Sequence, residues 1–514
     1  MATNAGGKVV CGAVVGVPGG GAVVVLGAAP LLEHDSSAVA PAASNARWGR
    51  RVRTAGYRHA GADHERCRVI GQTGGVTSGI GMLTDRYELT MLGAALRDGT
   101  AATPCVFEVF ARRLPEGRRY GVVAGTARVI DAIFGFRFGD DELRWLCDEG
   151  AIDDATAGFL RTYRFSGCVD GYPEGEICFA DSPILTVRGT FAEAVVLETV
   201  VLSILNHDSA VAAAAARMVT AAHGRPIIEM GSRRTHERAA VASSRAAYLA
   251  GFASTSNLAA GREFGIPTGG TAAHAFTLLH DDELTAFRAQ VAVHGPATTL
   301  LVDTYDITRG IEHAVAAAGT QLGAIRIDSG DLGVLAHQAR AQLDALGNHE
   351  TKIVVSGDLD EFAIAGLAAA PVDVYGAGTA VVVGSGAPTA GLVYKLVEVA
   401  GRPVAKRSEH KATNGGGKVA LRAHRPSGTA THEMVVAGRA PARDAVVASM
   451  QRDDPSLRRL DVALVVDGTP TAAAAPGLAA GRELLRASLR SLPWEGLSLS
   501  RGEPALPTNI TTVA

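Results

Sequence analysis

Ala324-Ile-Arg-Ile-Asp-Ser-Gly-Asp331 is a short apolar run that ends in a polar, glycine-containing turn. As a strand it places Arg326 and Asp328 on the same side, two residues apart. The same pattern recurs on either side of it, at Pro226-Ile-Ile-Glu229, Thr298-Thr-Leu-Leu-Val-Asp303, Lys352-Ile-Val-Val-Ser356 and Val372-Asp-Val-Tyr375. Helix-like segments, such as 311–318 and 332–346, lie between the runs. Strand–helix repetition of this kind predicts a parallel sheet covered on both faces. The polar residues fall at the strand C-terminal ends, where a (β/α) barrel gathers its functional groups. The expected fold class is α/β, with a (β/α) barrel over 223–400. A doubly wound open sheet is the competing arrangement.

Outside this region the rhythm differs. Helices are expected after Thr84-Asp85, over 125–134 and 140–147, and as two long alanine-rich segments over 193–205 and 209–222. Strands are expected over 105–110 and 183–188. After residue 401 a charged, glycine-rich connection over 406–418 leads to small antiparallel strands and a terminal helix over 479–492. Four spans result: 1–80, 81–222, 223–400 and 401–514. The first is expected to be a disordered or non-native extension, dispensable for activity, because it lacks any period. Within it, residues 9–32 carry no charge and are long enough to span a bilayer, but Pro18, Gly19, Gly20, Gly21 and Pro30 interrupt them. No membrane role is assigned to them.

Composition narrows the function classes. The chain has 514 residues, 47% hydrophobic and 20% charged, so large cores are available. Its formal net charge is -3 and it has no long basic run, which argues against a nucleic-acid partner and for small molecules. The six cysteines are scattered and form no Cys-x-x-Cys pair. A reduced, cytoplasmic chain without a structural zinc site is expected.

Several stretches carry chemistry. Gly265-Ile-Pro-Thr-Gly-Gly-Thr-Ala-Ala-His274 sets one histidine just past a glycine- and threonine-rich turn. A lone histidine is more often a satisfied core residue, but Asp303 ends the next apolar run. A carboxylate hydrogen-bonded to one ring nitrogen of His274 would fix its tautomer and raise the basicity of the other, which suits a phosphoryl acceptor. Glu229-Met-Gly-Ser-Arg-Arg234 offers Arg233 and Arg234 to a carboxylate or phosphate, or to a surface ion-pair turn. Ser256 can bind ligand oxygens or cap a helix. Asp85 and Tyr87 lie in Thr84-Asp-Arg-Tyr-Glu-Leu-Thr-Met91, which reads either as a capped amphipathic helix or as a ligand contact with a stacking ring. Gly357, Asp358, Gly378 and Thr379 sit in loops at adjacent strand ends, where backbone N–H groups can cradle phosphate.

In order, these motifs resemble those of nicotinate phosphoribosyltransferases, from Leu83 through the Lys411 region. The carriers are Thr-Asp-x-Tyr-x-Leu-Thr-Met, Glu-x-Gly-x-Arg-Arg, Gly-Thr-x-Ala-His, Arg-x-Asp-Ser-Gly-Asp and Gly-x-Gly-Thr. The resemblance implies an irregular α/β barrel joined to a smaller α+β domain built from both chain ends, in a homodimer with shared sites. It implies condensation of nicotinate with 5-phosphoribosyl 1-diphosphate, coupled to ATP through a phosphohistidine at His274, with Mg²⁺ on the diphosphate. Tyr87 of one subunit would stack on the pyridine ring, with Met230 on the other face, where many relatives have phenylalanine. Arg326 and Arg233 would neutralise the carboxylate or a ligand phosphate, Asp328 would hold the ribose, and Gly357, Asp358, Gly378 and Thr379 the 5-phosphate region. Nicotinamide-using enzymes of the same fold carry an aspartate near Ser256, so Ser256 favours the acid. A nicotinamide-using enzyme and a non-catalytic nucleotide-binding paralogue are the alternatives.

Overall fold

The computed structural model describes residues 79–406 and 414–513. The expectations for residues 1–78, and for most of the charged connection after Lys406, lie outside the described residues. Six strands form one sheet: Ile227–Glu229, Ser254–Thr255, Thr299–Leu301, Ala324–Ile327, Lys352–Ser356 and Val374–Ala377. Every pairing among them is parallel. Each strand lies beside its neighbour in sequence, and the first pairs with the last through Ile227 and Tyr375. The ring is open only between Ser254–Thr255 and Thr299–Leu301. A doubly wound sheet keeps its first and last strands apart, so this cyclic order defines an irregular, open barrel. The glycine-rich segment enters at the seam. Thr255 makes an isolated parallel bridge to Thr268, and Gly269 N–H donates to the Thr255 carbonyl at 3.0 Å.

The barrel strands are apolar because both faces are covered. Ile227, Leu300, Ile325, Ile327, Ile353, Val355 and Tyr375 are all buried in one core with the surrounding helices. Burial of each such side chain contributes about 1.5–3 kcal/mol, which compensates for strands of only two to five residues. One close approach matters for the site. A β-carbon on Gly310 would lie 2.2 Å from the Val302 carbonyl oxygen, so the helix Ile307–Ala318 rests directly on the chain just before Asp303.

The smaller domain uses both ends of the chain. Its seven-stranded sheet runs Arg402–Pro403, Leu392–Val399, Pro104–Ala111, Leu185–Thr190, Cys168–Gly171, Val462–Val466, Thr469–Pro470. A four-stranded sheet combines Arg458–Arg459, Gly417–His424, Ala430–Gly438 and Thr508–Thr512. Leu392–Val399, inside the span expected to be barrel, pairs antiparallel with Pro104–Ala111 instead. Its inward residues alternate with partly exposed ones, as suits a half-covered antiparallel strand rather than a barrel strand.

The two helices expected over 193–205 and 209–222 are also different. A short helix, Phe191–Val195, precedes one unbroken helix, Glu198–Ala221, of 24 residues. Asn206, Asp208 and Ser209 look like a break in sequence, but each has a partner. Asn206 Oδ1 accepts from Leu392 N–H at 2.8 Å, Asp208 takes both oxygens to Arg128, and Ser209 Oγ accepts from Ala124 N–H. This helix is long and apolar enough to cross a membrane, yet 67% of that stretch is buried within the protein. It is a core helix.

Candidate active site

The C-terminal ends of the barrel strands converge on Arg326. Its guanidinium donates from Nε to Ser356 Oγ at 2.7 Å, from Nη1 to Thr271 Oγ1 at 2.9 Å and from Nη2 to Asp328 Oδ1 at 2.8 Å. Ser356 Oγ also donates to Asp328 Oδ1, at 2.5 Å. The alternation of a strand puts Arg326 and Asp328 on one side, and the parallel neighbour supplies Ser356. Three of the five guanidinium N–H groups are used, leaving two for a ligand. Burial works to raise the Asp328 pKa. The Ser356 hydroxyl, the Arg326 guanidinium and the charge of His274 outweigh it and hold the carboxyl below its ordinary value. Asp328 therefore stays ionised.

His274 opens the short helix His274–Leu278 and faces the same mouth. Its side chain is 41% exposed, while that of Asp303 is only 2% exposed. The expected hydrogen bond between them is not formed: His274 Nε2 and Asp303 Oδ1 are 3.9 Å apart. The reason lies in the other carboxylate oxygen. Asp303 Oδ2 accepts from Asp328 N–H at 2.8 Å and from Ser329 Oγ at 3.0 Å, which fixes the carboxylate plane. Among the described residues Asp303 Oδ1 is left buried with no hydrogen-bond partner, turned toward the imidazole. Thr304 Oγ1 instead meets His274 Nδ1, at 3.1 Å.

The glycine loops follow the adjacent strands Lys352–Ser356 and Val374–Ala377. Gly357 has φ 105°, and a β-carbon there would lie 2.2 Å from the Asp328 carbonyl oxygen. Asp358 follows, also with positive φ, 43°. Behind this loop Glu361 is buried and takes Arg217 Nε at 2.9 Å and Arg118 Nη1 at 3.3 Å, which anchors the helix Glu361–Gly366. Gly357→Ala is expected to push this loop off the Asp328 backbone. Thermal stability, measured by calorimetry, should fall, with strain of roughly 1–3 kcal/mol; an unchanged melting temperature would show that the loop accommodates the β-carbon. Gly378 and Thr379 close the adjacent turn, where Met230 N–H donates to the Ala377 carbonyl at 2.7 Å. Met230 Sδ and Ser356 Cβ lie 2.9 and 3.0 Å from where a Gly376 β-carbon would be, so Met230 borders the Arg326 cluster.

Among the described residues, no hydrogen bond or ion pair joins the other expected residues to this cluster. Arg233 and Arg234 are exposed in the 3-10 turn Ser232–Arg234, and neither guanidinium has a hydrogen bond or ion pair among the described residues. Ser256 is exposed and held by its backbone, which donates to the Glu229 carbonyl at 2.8 Å. Asp85 and Tyr87 are exposed on the smaller domain, and no hydrogen bond or ion pair joins them to the barrel mouth. Burial, then the Glu198 and Glu88 carboxylates, pushes the Tyr87 phenol up to about 12, so the ring stays neutral.

Four residues beyond the expected set shape the site. Thr271 and Ser356 hold Arg326, and Thr304 holds His274. Glu229 is buried and joins three elements: it accepts from Gly231 N–H at 2.5 Å, Ser244 Oγ at 2.8 Å and Thr255 Oγ1 at 2.6 Å. Glu229, Thr271 and Ser356 lie within the quoted motifs and runs without a role of their own there, and Thr304 is signalled only by its neighbour Asp303.

Structural comparison defines the class. The fold superposes on human nicotinic acid phosphoribosyltransferase with a TM-score of 0.69 and 26% identity, covering 83% of this chain and 97% of that one. Nicotinate-nucleotide pyrophosphorylase from Pyrococcus furiosus shares the fold at a TM-score of 0.64 and 24% identity, over 80% of this chain and 95% of that one. Residues 82–206 match the model of the nicotinate phosphoribosyltransferase (NAPRTase) N-terminal domain. Nicotinate phosphoribosyltransferase pncB1 of Mycobacterium tuberculosis is 61% identical over 437 residues, 83% of this chain and 94% of that protein. The human nicotinate phosphoribosyltransferase is 31% identical over 434 residues, 71% of this chain and 80% of that protein. The chain belongs to the nicotinate phosphoribosyltransferase family.

Proposed function

We propose that the protein condenses nicotinate with 5-phosphoribosyl 1-diphosphate to nicotinate mononucleotide and diphosphate, coupled to ATP hydrolysis through phosphorylated His274. The observation that carries this is the Arg326 cluster: a guanidinium fixed at three points, with two donors left, facing a histidine across the barrel mouth. In the transfer, the pyridine nitrogen bonds to ribose C1 as the C1–oxygen bond to diphosphate breaks. Positive charge develops on the sugar, and the ionised Asp328 lies where it can stabilise that charge. Arg326 pairs with the nicotinate carboxylate.

In the coupled step, a ring nitrogen of His274 attacks the γ-phosphorus of ATP and ADP leaves. With the Nε2 proton directed at Asp303, Nδ1 is the attacking nitrogen, and the Thr304 hydroxyl turns away from it. Water later cleaves the N–P bond and releases phosphate. Mg²⁺ bound to the diphosphate would supply neutralisation of its charge.

A homodimer completes the pyridine site, with Tyr87 of the second copy over the ring. An apolar rim at the barrel mouth supports that arrangement. Leu258, Leu278, Leu279, Tyr305, Val334 and Phe362 are exposed, each shortly after a strand or loop that reaches the mouth. The cytoplasm is the proposed location.

The base pocket has its own test. Ser256→Asp places an anion beside the nicotinate carboxylate. It is expected to cost about 1–3 kcal/mol, roughly ten- to hundredfold in nicotinate kcat/KM, while sparing nicotinamide. Comparing kcat/KM for both bases checks this. An unchanged preference would contradict the role given to Ser256.

A further inference from the structure

Two segments bring the reactive imidazole and its partners to the mouth. One runs from His274 through the helix Glu283–His294, the other from Asp303 through the helix Ile307–Ala318. Among the described residues, two side-chain hydrogen bonds join them. The first is His274 to Thr304, within the site. The second is His313 Nδ1 to Glu283 Oε2, at 3.0 Å, away from it.

The Glu283–His313 pair is mechanically close to the site at both ends. On one side, His280 Nδ1 bonds back to the Phe276 carbonyl at 2.8 Å, and the two rings meet edge to face at 4.8 Å. Asp282 then caps the next helix through Thr285 N–H at 2.8 Å, and Glu283 is the first residue of that helix. Little slack therefore separates Glu283 from His274. On the other side, Asp306 caps the helix carrying His313, and Gly310 seats that helix against Val302. Thr304 and Asp303 follow directly from that contact.

The pair is also poorly explained as a source of stability. The Glu283 side chain is 4% exposed, and its Oε1 is buried with no hydrogen-bond partner among the described residues. Burial pushes its carboxyl up despite His313 and Arg309, with Asp306 adding to the rise. A buried carboxylate with one unmatched oxygen is costly, and two apolar side chains would pack as well. What the pair supplies is a directional link between two helices.

We propose that Glu283 and His313 are positioning residues that set the spacing of His274 from Asp303 and Thr304. This rests on His274 being the reactive group of the proposed function. The test reads His274 directly and needs no phosphoryl transfer. The full-length protein is treated with diethylpyrocarbonate, and carbethoxylation of each histidine is followed by peptide mass spectrometry. His236 and His349, both exposed and bonded to neither member of the pair, serve as internal references.

Glu283→Leu and His313→Leu are expected to change the His274 modification rate at least about threefold relative to the references. Glu283→Gln keeps an acceptor and His313→Asn keeps a donor near the Nδ1 position, so both should return the rate toward wild type. In turnover, the leucine variants should lower the ATP-coupled kcat about tenfold with KM for nicotinate unchanged. If His274 modification is unaltered in folded leucine variants, or if the references change equally, the proposal is overturned. If His274 responds but never carries phosphate, the positioning role stands and the phosphohistidine assignment fails.

Discussion

Arg326→Ala is expected to lower kcat/KM for nicotinate by at least about a hundredfold, with a much smaller effect on any nicotinamide use. The size follows from two losses. The substrate carboxylate loses charge-assisted hydrogen bonds, each contributing about 1.5–3 kcal/mol. Asp328 and Ser356 lose the group that orders them, since Arg326 bonds to both. Truncating one side of a hydrogen-bonded, desolvated charge pair costs about 2–5 kcal/mol, and each 1.4 kcal/mol is tenfold. Arg326→Lys should not rescue, because an ammonium is a compact point charge and cannot reach Ser356, Thr271 and Asp328 while still presenting two donors. Loss of Arg326 should also let the Asp328 carboxyl rise toward its ordinary value, because Arg326 is among the groups holding it down. Steady-state kinetics with both bases checks the first point. A variant that keeps wild-type nicotinate kinetics would show that the carboxylate binds elsewhere, with Arg233 as the next candidate.

His274→Ala is expected to abolish incorporation of labelled γ-phosphate into the protein and the stimulation of product formation by ATP. Slow, ATP-independent formation of nicotinate mononucleotide should persist, because Arg326, Asp328 and the glycine loops are untouched. Asp303→Asn should reduce labelling without abolishing it. Asp303 Oδ1 is 3.9 Å from the ring and can only bias its basicity and tautomer. Full labelling in His274→Ala would place the phosphoryl acceptor on another residue.

Much of the barrel was legible because its strands are buried on both faces. An apolar run such as Lys352–Ser356, ending in Ser-Gly-Asp, has little alternative as a structure. The Arg326–Asp328 pair was legible for a local reason, the two-residue alternation of a strand. The details around His274 were not. Asp303 was expected to bond the imidazole, but the backbone N–H of Asp328 and the Ser329 hydroxyl compete for the carboxylate, and that competition depends on a neighbouring strand. Thr304 gave no signal beyond its neighbour Asp303, and Thr271, though part of the Gly-Thr-x-Ala-His motif, showed no sign there of holding Arg326. Leu392–Val399 falls inside the span 223–400 but pairs with Pro104–Ala111, and its partly exposed positions set it apart from the barrel strands. The long helix Glu198–Ala221 was read as two because its polar centre could not be matched in sequence to Arg128, Ala124 and Leu392.

The central claim is nicotinate-specific phosphoribosyl transfer coupled to ATP. Its most direct test is nucleotide formation by the purified protein from 5-phosphoribosyl 1-diphosphate and Mg²⁺, with nicotinate or nicotinamide, in the presence and absence of ATP. Nicotinate mononucleotide should form with nicotinate, faster with ATP and with one ADP released per coupled turnover, while nicotinamide gives little product. Preferential formation of nicotinamide mononucleotide, or no nucleotide from either base, would contradict the account.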